Sequence, residues 1–222
     1  MAVKPAEMSA ELLETVRNRG ETEQLEQRLA ELSHERLADS LRSDRQRKAF
    51  WINLYNAEAQ ILSGRRPLLR RLRIIYVAPS VRVAGRRMSL QRVESNMLRR
   101  KTIFGTHKPH WLTGSWERRV RIEDVDPRVH FALNCAAESC PPIRSYTPEE
   151  IDEQLEVATR SYLESEVVVE GQVAKVPRLF KWYSGDFEGR DGVLDFLDGY
   201  GFRAERIDFR SWDWSISTRE FA

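Results

Sequence analysis

Residues Arg45-Gln-Arg-Lys48-Ala49-Phe50-Trp-Ile52-Asn53-Leu54-Tyr-Asn56-Ala57-Glu-Ala-Gln-Ile61-Leu62 carry the clearest helical pattern in the chain. Ala49, Phe50, Ile52, Leu54, Ala57 and Ile61 supply its apolar side, and Gly64 and Pro67 end it. Asn53 and Asn56 stand three apart, on one helical face. Asparagine is a poor helix former, so two of them in an apolar helix need a reason. They either hydrogen-bond to a neighbouring backbone or line a binding site.

Toward the N-terminus, residues 8–19 and 21–42 read as helices separated by Gly20, with a broken apolar stripe at Leu25, Leu29, Leu32 and Leu41. Toward the C-terminus, residues 73–84 suggest two short strands on either side of Pro79-Ser80, with a turn at Gly85. Ser89 can cap a helix running to about Arg100 that contains Glu94. Residues 102–125 are loop-like. Asp126-Pro127 reads as a helix opening, although Val129, Phe131, Leu133 and Cys135 would also share one face of a strand. Thr147-Pro-Glu-Glu150 has the form of a capping box and opens a helix to about Leu163. A hairpin about Gly171, an aromatic cluster at Phe180–Tyr183, a short helix over Asp191–Tyr200 and a strand within Ile207–Ser217 complete the pattern. The fold expected is α+β: a helix-rich single domain with a small antiparallel sheet or hairpins. The N-terminal helical extension is placed at 1–21 and the globular domain at 22–222.

The chain has 222 residues, 41% hydrophobic and 32% charged, which suits a polar globular protein. No apolar run approaches the ~20 residues of a membrane span, and the first residues lack the apolar core of a secretory signal, so a cytoplasmic location is expected. The net charge of +2 conceals a basic segment, residues 65–121, with 16 basic and 2 acidic side chains. That segment could meet nucleic acid. Internal compensation by acidic residues such as Glu149, Glu150, Asp152, Glu153 and Glu156 is favoured over it.

Reactive side chains gather at His130-Phe-Ala-Leu-Asn-Cys135-Ala-Ala-Glu-Ser-Cys140-Pro-Pro142, which holds both cysteines of the chain. Thiol and imidazole are the groups most used for nucleophilic chemistry near neutral pH. Five residues separate His130 from Cys135. That is about 140° around a helix and opposite faces of a strand, so neither geometry makes a dyad by itself. Cys140, before Pro141, suits a loop, and Cys135 suits a packed position. Buried structural thiols, a catalytic thiol and a metal or redox pair are the three readings open to them. The Cys-x4-Cys spacing is not that of a zinc knuckle. His107-Lys-Pro-His110 resembles a metal pair only superficially, because Pro109 breaks the helix that would aim both rings at one ion. No metal or cofactor is expected.

Several stretches together resemble the domain of unknown function family 547. They are Lys48–Ala57, Val93-Glu94 with Leu98-Arg99, Asp126–Pro142, Leu179–Tyr183 with Asp186-Phe187, and Trp212–Ser215. They cover roughly residues 22–216, and the first and third are the most specific. The resemblance implies a single domain without an established general activity. Family members commonly carry Glu-His or Glu-Asn where this chain has Glu94-Ser95, so a second catalytic imidazole is missing here. The recurrent His and Cys positions suit a cysteine hydrolase.

The function expected is a cysteine-dependent hydrolase or acyl-transfer enzyme acting on peptide or amide bonds of an unidentified peptide or small-molecule substrate. Cys135 or Cys140 would attack, His130 would exchange the proton, and Glu94 or an Asn would orient it. Asn53, Asn56, Trp182 and Tyr183 are the candidate binding residues. The alternative is a non-catalytic binding or scaffold domain with structural cysteines.

Overall fold

The computed structural model describes residues 4–65, 74–101 and 113–215. Helices dominate, and the described strands form one two-stranded and one three-stranded sheet, so the fold is α+β. The long helix α4 (Asp44–Arg65) is buried on every side from Arg47 to Ala59, rather than on one face. Phe50, Trp51, Ile52, Asn53, Leu54, Ala57 and Ala59 are all fully buried. A helix without a solvent face lies at the centre of a core. The indole of Trp51 donates to the Val120 carbonyl at 2.7 Å, and Lys48, itself buried, pairs with Asp126 at 2.9 Å and Asp152 at 3.3 Å.

Helices α1 (Pro5–Arg17), α2 (Glu23–Ala30) and α3 (His34–Ser40) precede it. The single helix expected over 21–42 is broken near Ser33. The Ser33 hydroxyl accepts from the Arg36 N–H at 3.1 Å and caps α3 instead of continuing α2. Met8, Leu12 and Leu13 of α1 are buried in the same core as α4, so the N-terminal helical segment is packed against the domain.

Ile74–Val77, expected as a strand, is a short helix, α5. Strand propensity is context-dependent and yields here to the surroundings. Strands β1 (Val81–Val83) and β2 (Arg86–Met88) pair antiparallel about Ala84-Gly85, both with positive φ, which is the geometry of a tight hairpin. Ser89 caps α6 (Leu90–Arg92), which runs into a π-helical turn, Val93–Leu98. Within the segment read as a loop, Ser115–Val120 forms α7. His107, His110 and Trp111 lie outside the described residues. Asp126 opens not a full helix but a 3₁₀ turn, Pro127–Phe131, accepting from the Arg128 N–H at 3.1 Å. Helix α8 (Ile151–Glu166) begins after Thr147–Glu150, and the side chain of Gln154, not a capping box, receives the Thr147 N–H at 2.9 Å.

Strands β3 (Val168–Glu170) and β4 (Val173–Val176) form the expected hairpin about Gly171. α9 (Leu179–Trp182) and α10 (Gly189–Gly199) follow, and β5 (Arg206–Phe209) returns to pair with β4 in parallel, a pairing that the antiparallel expectation lacked. A helical crossover is what a parallel pair requires. Two apolar clusters result. One surrounds α4, and the other joins α8, α9, α10 and the three-stranded sheet. The 3₁₀ turn bridges them, with Val129 in the first and Phe131 in the second.

The described ion pairs of the basic segment run to Glu23, Glu26, Asp39 and Asp186 and, within the segment, to Glu94 and Glu117. Asp152, expected to face that segment, instead pairs with Arg45, Lys48 and Arg128. None of the described helices is long and apolar enough to cross a membrane.

The Asn53 side chain is satisfied by backbone. It donates to the Tyr146 carbonyl at 2.8 Å and accepts from the Tyr146 N–H at 3.0 Å. Asn53→Ala therefore strands a buried donor and acceptor, and stability should fall by ~1–3 kcal/mol. Urea melts of the variant measure this; an unchanged midpoint would contradict the clamp.

Candidate active site at the thiol loop

The loop that carries both cysteines is hung from α4. Asn56 donates to the Ala132 carbonyl at 2.8 Å and accepts from the Asn134 N–H at 2.8 Å. Asn134 passes the restraint on: its Nδ2 donates to the Pro141 carbonyl at 2.6 Å, and its Oδ1 accepts from the Ala136 N–H at 2.7 Å and from Gln60 at 3.1 Å. Ala136 is thereby held at φ 64°, a left-handed conformation unusual for a residue with a Cβ. The resulting turn folds Cys140 back beneath Cys135. The two sulfurs are 2.9 Å apart, and the Cys135 N–H points at the Cys140 sulfur at 3.2 Å. Tyr76 donates its hydroxyl to the Cys135 carbonyl at 2.5 Å, and Tyr162 donates to the Ser139 carbonyl at 3.1 Å. On the outer side, Ser215 and Asp213 accept from the N–H groups of Glu138 and Ser139 at 3.0 and 3.3 Å.

The sequence pattern suits Cys135 to a packed position and Cys140 to a loop. The structure reverses them: Cys135 is half-buried and Cys140 is 2% exposed. Their acidities diverge accordingly. The Cys140 thiol beside it lowers the Cys135 pKa, and this outweighs the effect of burial; the Ala137 N–H adds to the lowering. Burial pushes the Cys140 thiol up, and the neighbouring Cys135 pushes it further. The two thiols therefore titrate as a pair, with ionisation favoured at Cys135 and opposed at Cys140.

His130 belongs to a second, adjoining network. Its Nε2 lies 2.9 Å from Asp186 Oδ2, and both side chains are sealed from solvent. Burial alone would raise the Asp186 carboxyl. Hydrogen bonds from His130 and Arg99, together with the Arg99 charge, outweigh burial and hold it at about 2. Burial lowers the His130 pKa; the hydrogen bond to Asp186 opposes this, and the Arg99 charge adds to the lowering. A neutral imidazole beside an ionised carboxylate donates through Nε2–H, which leaves Nδ1 as the basic nitrogen. The ring stacks on Tyr183, centroids 4.1 Å apart, and Arg99 lies over the other ring system of that pair, 4.4 Å from the Tyr183 centroid. Arg99 also reaches Asp186 at 2.5 Å and Glu94 at 3.5 Å. The π-helical turn sets Glu94 and Arg99 at this junction, a deformation often found at functional sites. Tyr183 has its pKa raised by burial and then by Glu94, which its hydroxyl meets. Tyr55, on α4, has its pKa raised by burial, then by the charges of Glu94 and Cys135.

The structure therefore pairs the cysteines with each other and His130 with Asp186. Glu94 stands beside Tyr183 and Arg99, where its charge opposes ionisation of Cys135 instead of assisting it. Asn53 and Asn56, candidates for ligand binding, are fully buried and occupied by backbone. Trp182 is 43% exposed and clusters with Trp212 and Trp214, at centroid distances of 5.3 and 5.6 Å. The sequence reading assigned no role to Asp186, Arg99, Asn134 or Tyr55. Asp186 is 56 residues from His130, and the signal that marked it was its place, with Phe187, in the stretches that carry the family resemblance.

A family model described as "Protein of unknown function, DUF547" matches residues 39–163, more than half of the chain, and the chain belongs to that family. The match includes α4, the π-helical turn and the thiol loop. Neither the curated proteins nor the solved structures contain a match.

The His130–Asp186 pair makes acid lability specific. Asp186 is ionised in the folded protein down to about 2, against an ordinary value of ~3.9, so its contribution is complete above pH ~4 and is lost as pH falls toward 2. His130, lowered in the fold, takes up a proton on unfolding, so stability also declines below pH ~6.5. Thermal melts from pH 7 to 2 should show both phases. Asp186→Asn should lower stability at pH 7 and flatten the phase below pH 4; an unaltered acid limb would contradict the pairing.

Proposed function

We propose that this member of the DUF547 family is a cysteine-dependent hydrolase or acyl-transfer enzyme, with Cys135 as the nucleophile. The observation that carries the reading is the 2.9 Å thiol pair, in which the less buried residue is also the one whose thiol is made more acidic. A thiolate attacks a carbonyl far better than a thiol does, and a neighbouring S–H and a backbone N–H both favour the thiolate. In this scheme Cys135 Sγ attacks the acyl carbon, the leaving amine or alcohol departs with a proton, and water or a second acceptor releases the acyl group. In this reading the exchange of that proton is assigned to His130, which Asp186 holds with Nδ1 basic and which touches neither sulfur. Cys140 acts as proton holder and not as a second nucleophile, because it is buried with its pKa raised. The exposed faces of Trp182 and Trp214 flank the segment joined to Ser139 and offer an apolar seat for the substrate. Peptide and amide bonds are the substrate class this chemistry suits.

The full burial of Asn53, Asn56 and Cys140 supports a second reading, a non-catalytic binding or scaffold domain with structural thiols. One experiment separates the two. On incubation with p-nitrophenyl acetate, the enzyme should release a burst of nitrophenol and gain one acetyl group, mapped to Cys135. The pH midpoint of acylation should lie below the ~8.5 of an ordinary thiol and rise toward it in Cys140→Ala. Cys135→Ser should abolish the adduct, and His130→Gln should slow turnover by ~10²–10⁴-fold. Equal rates in wild type and Cys135→Ser, with no adduct, would leave the scaffold reading.

A further inference from the structure

We propose that Cys135 and Cys140 form a reversible dithiol–disulfide pair, oxidised by low-molecular-weight disulfides, and that oxidation closes the site. The sulfurs are already 2.9 Å apart, while a disulfide bond is ~2.0 Å long, so closure needs roughly 0.9 Å of movement. The loop enforces this approach. Asn134 pins both ends, bonding the Ala136 N–H on one side and the Pro141 carbonyl on the other, and the Cys140 N–H returns to the Ala137 carbonyl at 3.0 Å. Among the described residues no group of three or more His, Cys, Asp and Glu side chains could hold a metal ion, so the described surroundings do not make the pair part of a metal centre.

The two thiols differ in the way an attacking and a resolving cysteine must differ. Cys135 is the reachable one, and its thiolate is stabilised; Cys140 is shielded and stays protonated until called on. The exchange proceeds in two steps. The Cys135 thiolate attacks one sulfur of RS–SR, breaking that bond and expelling RS⁻, which takes a proton to become RSH. Cys140 then attacks the Cys135 sulfur, breaking the mixed disulfide, and its proton leaves with the expelled second RS⁻ as RSH. Counted from the two thiols, with the proton released when Cys135 ionises included, the pair loses two electrons and two protons, and RS–SR gains them as two RSH. An excess of reducing thiol runs the sequence backward. The bond removes the nucleophile of the proposed acyl transfer, but the exchange itself needs only the thiols and does not depend on that activity.

The test uses the full chain equilibrated with mixtures of glutathione and glutathione disulfide, quenched in acid, denatured and alkylated with iodoacetamide. Intact mass then counts free thiols. Two alkyl groups should be taken up under reducing mixtures and none under oxidising ones. The two should disappear together, as monomer and independently of protein concentration, and dithiothreitol should restore both. Cys140→Ser should accumulate one glutathione per chain at position Cys135, whereas Cys135→Ser should leave Cys140 unmodified in the folded protein. Persistence of two alkylatable thiols after equilibration with excess glutathione disulfide and no added glutathione would overturn the proposal, as would disulfides formed only between chains. The wild-type thiol count decides the matter even if a variant fails to fold. Acyl-adduct formation is a separate readout. Pair oxidation without any adduct would sink the hydrolase reading alone, and adducts without pair oxidation would sink this proposal alone.

Discussion

The side-chain amides of Asn53 and Asn56 each close a pair of hydrogen bonds with a backbone segment that has no secondary structure of its own to satisfy it. One holds Tyr146, at the approach to α8. The other holds Ala132 and Asn134, at the root of the thiol loop. Unpaired backbone groups in such buried segments would each cost a few kcal/mol at most, and a loop passing through the interior has several of them. An amide carries both donor and acceptor, so it substitutes for one rung of a strand ladder. Three-residue spacing on a rigid, fully buried helix then fixes where both loops lie relative to each other. The thiols inherit their positions from this arrangement through Asn134.

The electrostatic design divides the site into two proton systems. The thiol pair favours ionisation at Cys135 over Cys140, and the His130–Asp186 pair keeps a neutral imidazole next to a carboxylate. Arg99 stabilises the second system by bonding Asp186 and covering Tyr183, whose ring is stacked on His130. Glu94 bonds Tyr183 and Arg99, and its charge reaches Tyr55 and Cys135. In a low-dielectric interior such charges must be compensated locally, and Arg99 serves both carboxylates at once. The same surroundings make the two systems sensitive to each other without direct contact between sulfur and imidazole.

Much of the helical framework was legible from local rules. Ser89 as a cap, Gly171 as a hairpin turn and the apolar run of α4 each follow from conformational or burial preferences of a few neighbouring residues. The departures arose where a competing interaction was non-local. Ile74–Val77 has strand-forming residues but lies in a helix, the thiol loop departs from both a helix and a strand, and β5 reaches β4 in parallel after a helical crossover. The reversal of Cys135 and Cys140 has the same origin. Pro141 does end regular structure, but the turn at Ala136 directs the following thiol inward.

By itself, the sequence determined the elements whose causes are local, the α+β class, the family, and the chemical identity of the reactive cluster, because side-chain type and short-range spacing carry that information. Tertiary structure alone decided which groups meet. His130 finds Asp186 across 56 residues, Asn56 finds Asn134 across 78, and Arg99 finds Asp186 across 87. These contacts depend on how two apolar clusters close around the Pro127–Phe131 turn, and burial then sets the acidities. No periodicity encodes such distances, because packing of the whole chain, with its conformational entropy and desolvation costs, selects them.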